Sequence, residues 1–298
     1  MNNRQLSDNN KTNMINGVIA DYININDRAL QYGDGLFETI LCIDKKLYYW
    51  QQHYQRLQSS ARKLDIKCPD EKLLLDDIRQ LLDDEENKPD KPCAVKIILS
   101  RGIGKRGYKY PKKMDSNRFI MLSQLAADYS SLLPAQLLCG DLFLCKTQAS
   151  INETLAGIKH LNRLENVLAG NEWKNTTKKQ YIDGLMLNAD QHVIECTMSN
   201  IFAVKNDRLL TPDLKRSGVR GVMRDEVIKL AATNDIDVSE NNITIDELKI
   251  MDELFITNSL IGLKSVSKFD DTRYKEPQLT KLIFDALIST KGNHVQEI

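Results

Sequence analysis

The feature that most constrains this chain is the alternation of short apolar runs with turn residues between positions 17 and 50. There GVIA, LFETILCID and KLYYW follow one another at the period of strands joined by hairpins. The chain therefore opens as a β-meander. HYQRLQSSARKL and DEKLLLDDIRQLL then space apolar residues three and four apart, the pattern of a helix with one buried face. β-branched runs return in CAVKIILSRG and RFIMLSQL, which makes the first unit α+β. After a crossing segment, AADYSSLL, the spacing predicts strands in AQLLCGDLFLCK, YIDGLMLN, HVIEC, NIFAVK, LFITN and LKSVSKF. Helices are predicted in LNRLENVLAGNEW and RDEVIKLAATN and near Leu279–Ile288.

A chain of 298 residues is long for one compact unit and ordinary for two. The expected organisation is a disordered leader at 1–14, a small N-terminal α+β domain at 15–125, a linker at 126–134 and a larger β-rich domain at 135–298. The acidic run LLDDEENKPDK reads as a solvated helix end and loop. With 41 basic and 41 acidic residues the net charge is zero, so no global field draws nucleic acid or anionic membranes. No apolar stretch approaches the length that spans a bilayer, and a cytoplasmic enzyme is expected. The six cysteines lie far apart and the four histidines share no metal-ligand spacing, so no metal site is expected.

Six segments carry candidate chemistry. Lys159, in LAGIKHLNRLENVLA, has apolar and small neighbours that limit hydration, and a desolvated lysine loses its proton more readily. A neutral amine condenses with an aldehyde; a solvated surface lysine is the bland alternative. Glu195 ends an apolar run and precedes Thr197, Ser199 and Asn200, where its carboxylate either faces water or partners a ring nitrogen. SGVRGVMRDEV opens a helix with two glycines, leaving the N–H groups around Gly221, Val222 and Met223 to an anion or to a plain turn. Arg56, in the first helix, offers a planar fork to the same anion. RGIGKRGYKYP sets Arg101, Arg106 and Tyr108 on a Gly-rich loop, suited to a substrate carboxylate or to a polyanion. In YGDGLFETI the alternate residues Phe37 and Thr39 share one face, lining a pocket or simply completing a hairpin.

Taken in order, YGDGLFET, HYQRL, SRGxGxRGY, LAGIKHLNRLENVLA, VIECTMSNIF and SGVRGVMRDE resemble the fold-type IV pyridoxal-phosphate enzymes over roughly residues 15–270. GIKHLNRLENVLA with SRGxGxRGY is similar to the aminodeoxychorismate lyase branch of that family in particular. The resemblance implies a two-domain α+β fold and pyridoxal 5'-phosphate bound through Lys159, with Glu195 on the pyridine nitrogen and Arg56 on the phosphate. Ser199, Asn200, Gly221, Val222, Met223, Asn258 and Ser259 would line the cofactor. Arg106 and Tyr108 would address the substrate carboxylate from the neighbouring subunit of a homodimer. Phe37 replaces a tyrosine that the D-amino-acid aminotransferases have, which disfavours that branch, and Thr39 would supply the pocket hydroxyl that the lyases use. The implied reaction takes 4-amino-4-deoxychorismate to pyruvate and p-aminobenzoate for folate synthesis, with Lys159 as the base. The alternatives are a class IV aminotransferase of D-amino or branched-chain amino acids, and a catalytically silent binding protein.

Overall fold

The structure is a computed structural model and describes residues 12–83, 91–126, 135–174 and 181–298. Most of the expected leader, the acidic run from 84 to 90 and the expected linker beyond Ala126 lie outside the described residues.

Among the described residues, one sheet has seven strands. Their order is Val295–Glu297, Lys46–Tyr48, Gly35–Ile43, Cys93–Ser100, Asn117–Gln124, Asn13–Ile15 and Val18–Ile19. The helices Trp50–Lys63 and Glu71–Asp83 lay their apolar stripes on it. Leu57, Leu74, Ile78 and Leu81 pack there with Ile40, Val95, Ile97 and Ile120 in one buried cluster. Gly35–Ile43 runs through the sheet interior, paired along its length with Cys93–Ser100. The alternation of a strand buries Leu36, Glu38 and Ile40 and turns the partly buried Phe37 and Thr39 to the other face.

The second sheet has nine strands, ordered Val238–Asn241, Arg208–Pro212, Asn200–Lys205, Glu253–Asn258, Gly262–Phe269, Leu138–Leu144, Tyr181–Leu187 and Val193–Cys196, with Thr272–Arg273 beside Gly262–Phe269. It is mixed rather than all antiparallel. Leu138–Leu144 runs parallel to both of its neighbours, and Arg208–Pro212 runs parallel to Val238–Asn241. Parallel neighbours need a long crossover. The helix Val222–Thr233 supplies one and the helix Leu164–Lys174 another. Phe202 and Phe255 stack at 4.9 Å between their centroids, in a core shared with the helices Val222–Thr233 and Gln278–Thr290.

The expected boundaries need correction at both ends. Asn13 and Met14, assigned to the leader, belong to the strand Asn13–Ile15, and Met14 is fully buried. Val295–Glu297, assigned to the C-terminal domain, pairs with Lys46–Tyr48 of the first sheet, and the Tyr49 N–H donates to the His294 carbonyl at 2.7 Å. Two short helices went unread, Arg28–Tyr32 and Ile245–Lys249, the latter closed by a capping box between Thr244 and Glu247.

Candidate active site

Where the two sheets meet, a cavity of about 280 Å³ collects side chains from segments far apart in the sequence. Lys159 reaches it from a segment tied to the first sheet and to the loop before the helix Val222–Thr233. Gly157 bridges to Val219, His160 bridges to Leu36, and the Phe37 N–H donates to the Lys159 carbonyl at 3.0 Å. The helix that sequence placed directly after Lys159 begins only at Leu164. Lys159 Nζ lies 4.4 Å from the centre of the Phe37 ring. Burial, reinforced by the Arg56 cation, lowers the amine from its ordinary value to about 8.

Glu195 stands on the strand Val193–Cys196, buried, with Oε2 accepting from the Val219 N–H at 2.8 Å. Among the described residues its other oxygen accepts no hydrogen bond. Burial raises this carboxyl and the Arg163 cation opposes the rise. The loop that follows is fixed from behind by Asp183, which sequence reading missed. The hydroxyls of Thr197 and Ser199 donate to Asp183 at 2.5 and 2.9 Å, and the Asn258 amide donates to Ser199 Oγ at 3.1 Å. Asn258 Oδ1 in turn accepts from the N–H groups of Leu260 and Ile261, so one network holds two stretches of the cavity wall. The signal for Asp183 was an acid inside the apolar strand Tyr181–Leu187.

Arg56 lines the same cavity, held by Glu38. Its Nε and Nη2 donate to the carboxylate at 2.9 and 2.5 Å, and its Nη1 donates to the Arg220 carbonyl at 3.0 Å. His53 Nδ1 closes on Glu38 at 2.7 Å. Burial alone would raise Glu38; the Arg56 cation and the contact with His53 overrule it and hold the carboxyl at about 2. Close by, Gly221 caps the helix Val222–Thr233 with no side-chain hydrogen bond. A Cβ on Gly221 would fall 2.1 Å from Asn200 Oδ1, while the Asn200 amide donates to the Val219 carbonyl at 2.9 Å. Glycine is required there by close approach, and the helix start faces the cavity through Val222 and Met223.

Of the residues singled out by sequence, Phe37, Thr39, Arg56, Lys159, Glu195, Ser199, Asn200, Gly221, Val222, Met223, Asn258 and Ser259 all line this cavity. Arg106 and Tyr108 do not: both are exposed on the loop after Cys93–Ser100. That loop is pinned by Arg28 to the Gly107 carbonyl and by Tyr32 Oη to the Gly107 N–H, each at 2.9 Å. Arg101 is a frame residue, buried and donating to Asp34 and to the carbonyls of Leu64 and Asp65. Arg163 and Asn166, which sequence reading placed on an ordinary helix, also line the cavity.

Residues 35–269 match the family model described as amino-transferase class IV. The aminodeoxychorismate lyase of Vibrio harveyi is 36% identical over 85% of this chain and 89% of its own length. A D-alanine aminotransferase of Listeria monocytogenes is 27% identical over 83% of this chain and 82% of its own. Among solved structures, the 4-amino-4-deoxychorismate lyase of Pseudomonas aeruginosa superposes with a TM-score of 0.80 at 31% identity, covering 93% of this chain and 98% of that one.

Proposed function

Since the chain belongs to the amino-transferase class IV family, whose members use pyridoxal 5'-phosphate, we propose that it is the lyase that converts 4-amino-4-deoxychorismate into pyruvate and p-aminobenzoate, a precursor of folate. The observation that carries this reading is the match to a lyase at 36% identity over most of the chain, against 29% and 27% for branched-chain and D-alanine aminotransferases. Phe37 and Thr39 on the cavity wall agree with it.

The residues present fit the cofactor. An amine brought down to about 8 is unprotonated in roughly a tenth of molecules at pH 7, far more than an ordinary lysine, and that fraction can bond an aldehyde carbon. Among the described residues Glu195 leaves one oxygen without a hydrogen bond, open to a ring nitrogen. The uncapped helix start at Gly221 supplies N–H donors for a phosphate, and the Arg56 guanidinium, held in place by Glu38, adds positive charge beside it. When bound, the cofactor supplies an electron sink for charge developing on the substrate carbon.

The protein's part is binding and proton traffic. Lys159 Nζ, freed when the substrate's amine takes its place, would remove the proton from the amine-bearing carbon and return one to the departing three-carbon fragment. The Thr39 hydroxyl orients that fragment. Glu195 holds its proton-sharing position because Val219 fixes one oxygen. Arg106 and Tyr108, exposed and outside their own cavity, serve the neighbouring subunit of a cytoplasmic homodimer and bind the substrate carboxylate there.

The test is to supply cofactor-loaded protein with 4-amino-4-deoxychorismate and follow both products, with D-alanine or branched-chain amino acids plus 2-oxoglutarate in parallel. Equal release of pyruvate and p-aminobenzoate is expected. Keto-acid formation without p-aminobenzoate would move the function to transamination while keeping the roles of Lys159 and Glu195.

A further inference from the structure

Two arginines line the cavity among the described residues, and the protein treats them differently. The fork of Arg56 is filled by the Glu38 carboxylate. Arg163 has no carboxylate within ion-pair distance among the described residues. Its Nε donates to the His160 carbonyl at 3.1 Å and its Nη2 to the Ile158 carbonyl at 2.8 Å, the two residues flanking Lys159. Nη1 makes no hydrogen bond among the described residues, yet is not sealed in as a buried orphan. Glu195, the nearest acid in charge terms, has one oxygen committed to the Val219 N–H.

A guanidinium stays charged at any pH at which proteins fold, and a desolvated charge without a counter-ion is costly. The cost is recovered when a bound molecule brings an anion to it, and charge-assisted hydrogen bonds are the strong ones. Arg56 needs no ligand for this. Arg163 does.

We propose that Arg163 is a ligand-binding residue of this site: its Nη1 receives an anionic oxygen of the molecule bound at Lys159, while Nε and Nη2 hold the backbone on both sides of that lysine. The oxygen has two chemical sources, the phenolate on the cofactor ring or a carboxylate of the substrate. The inference rests on the cofactor reading above, because the cofactor or its substrate delivers the anion.

Two variants separate the anion from the backbone grip. Arg163→Met keeps length and apolar contact and deletes the charge. Arg163→Lys keeps a cation that cannot hold two carbonyls and face the cavity at once. For each, melting temperature, affinity for pyridoxal 5'-phosphate and the pH midpoint of the bound cofactor's visible absorbance are measured. Chorismate, a dicarboxylate without the amine, is then titrated by calorimetry.

If the phenolate is the source, Arg163→Met weakens cofactor binding at least about tenfold. The absorbance midpoint also moves upward, because a nearby cation favours the unprotonated form. If a carboxylate is the source, the cofactor properties hold and chorismate binding weakens at least about tenfold. In either case Arg163→Lys recovers much of the loss. The proposal is overturned if Arg163→Met leaves both affinities within about twofold. It is equally overturned if the two variants are impaired and destabilised alike, since only the backbone grip would then matter. A wild-type protein that takes up no cofactor would overturn the cofactor reading together with this one, and its own titration tells that failure apart from a failure of Arg163 alone.

Discussion

At the scale of single residues, Lys159 owes its chemistry to its surroundings rather than to its type. Phe37 covers it, Arg56 and Arg163 add positive charge near it, and the carboxylates Glu38 and Glu195 partly offset them. The sum leaves the amine at about 8, against 10.5 for an ordinary lysine. The amine is the reactive form and exists above that value, so reactivity appears as pH rises through 8 instead of through 10.5. Borohydride trapping of pyridoxal 5'-phosphate on the cofactor-free protein is expected to label Lys159 with a midpoint near pH 8. Lys159→Ala should take no label at that position, and a wild-type midpoint near 10 would refute the desolvated amine. Sequence made Lys159 legible as a candidate through its apolar neighbours; Arg163, four residues on, was opaque because its role depends on which carbonyls its guanidinium meets.

At the scale of elements, the start of the helix Val222–Thr233 shows what local pattern reveals and what it hides. SGVRGVMRDEV announces a helix opened by glycines, and the two glycines do different work. Gly218 turns the chain at φ 81°, a conformation other residues adopt with strain, whereas Gly221 has an ordinary φ of −70° and is needed for its closeness to Asn200. Gly221→Ala is therefore expected to push Asn200 and the helix start apart. Affinity for pyridoxal 5'-phosphate should fall by about tenfold and affinity for pyridoxal, which lacks the phosphate, should stay unchanged. Equal loss for both ligands in an equilibrium titration would show that this helix start does not hold the phosphate. The amphipathic helices and the apolar strands were legible because their period is written within a dozen residues. Strands such as Val295–Glu297 were not, being three residues long and recruited by Lys46–Tyr48 at the opposite end of the chain.

At the scale of the whole molecule, each cavity contains its own Lys159 and Glu195 while Arg106 and Tyr108 stand outside it. In a two-fold dimer with shared sites, mixing inactive Lys159→Ala protein with inactive Arg106→Ala protein after subunit exchange should restore activity. One site in each mixed dimer then has an intact lysine and an intact arginine, about a quarter of the wild-type sites at random exchange. Activity that stays at zero after exchange, confirmed by mass-tagged subunits, would place Arg106 outside the neighbour's site.

The amino-acid pattern by itself determined the α+β character and most strands and helices, local matters settled by side-chain period over a few residues. Its local signals left Lys159, Glu195 and the glycines of SGVRG as candidates, and only their order along the chain, through the family resemblance, tied them to one site. Tertiary structure decided the rest. It returned the last strand to the first sheet, set Glu38 against Arg56, placed Asp183 behind the Thr197–Ser199 loop and left Arg163 beyond ion-pair distance of any carboxylate among the described residues. Desolvation and charge pairing act through space, between groups such as Phe37, Lys159 and Glu195 that folding alone brings to one cavity.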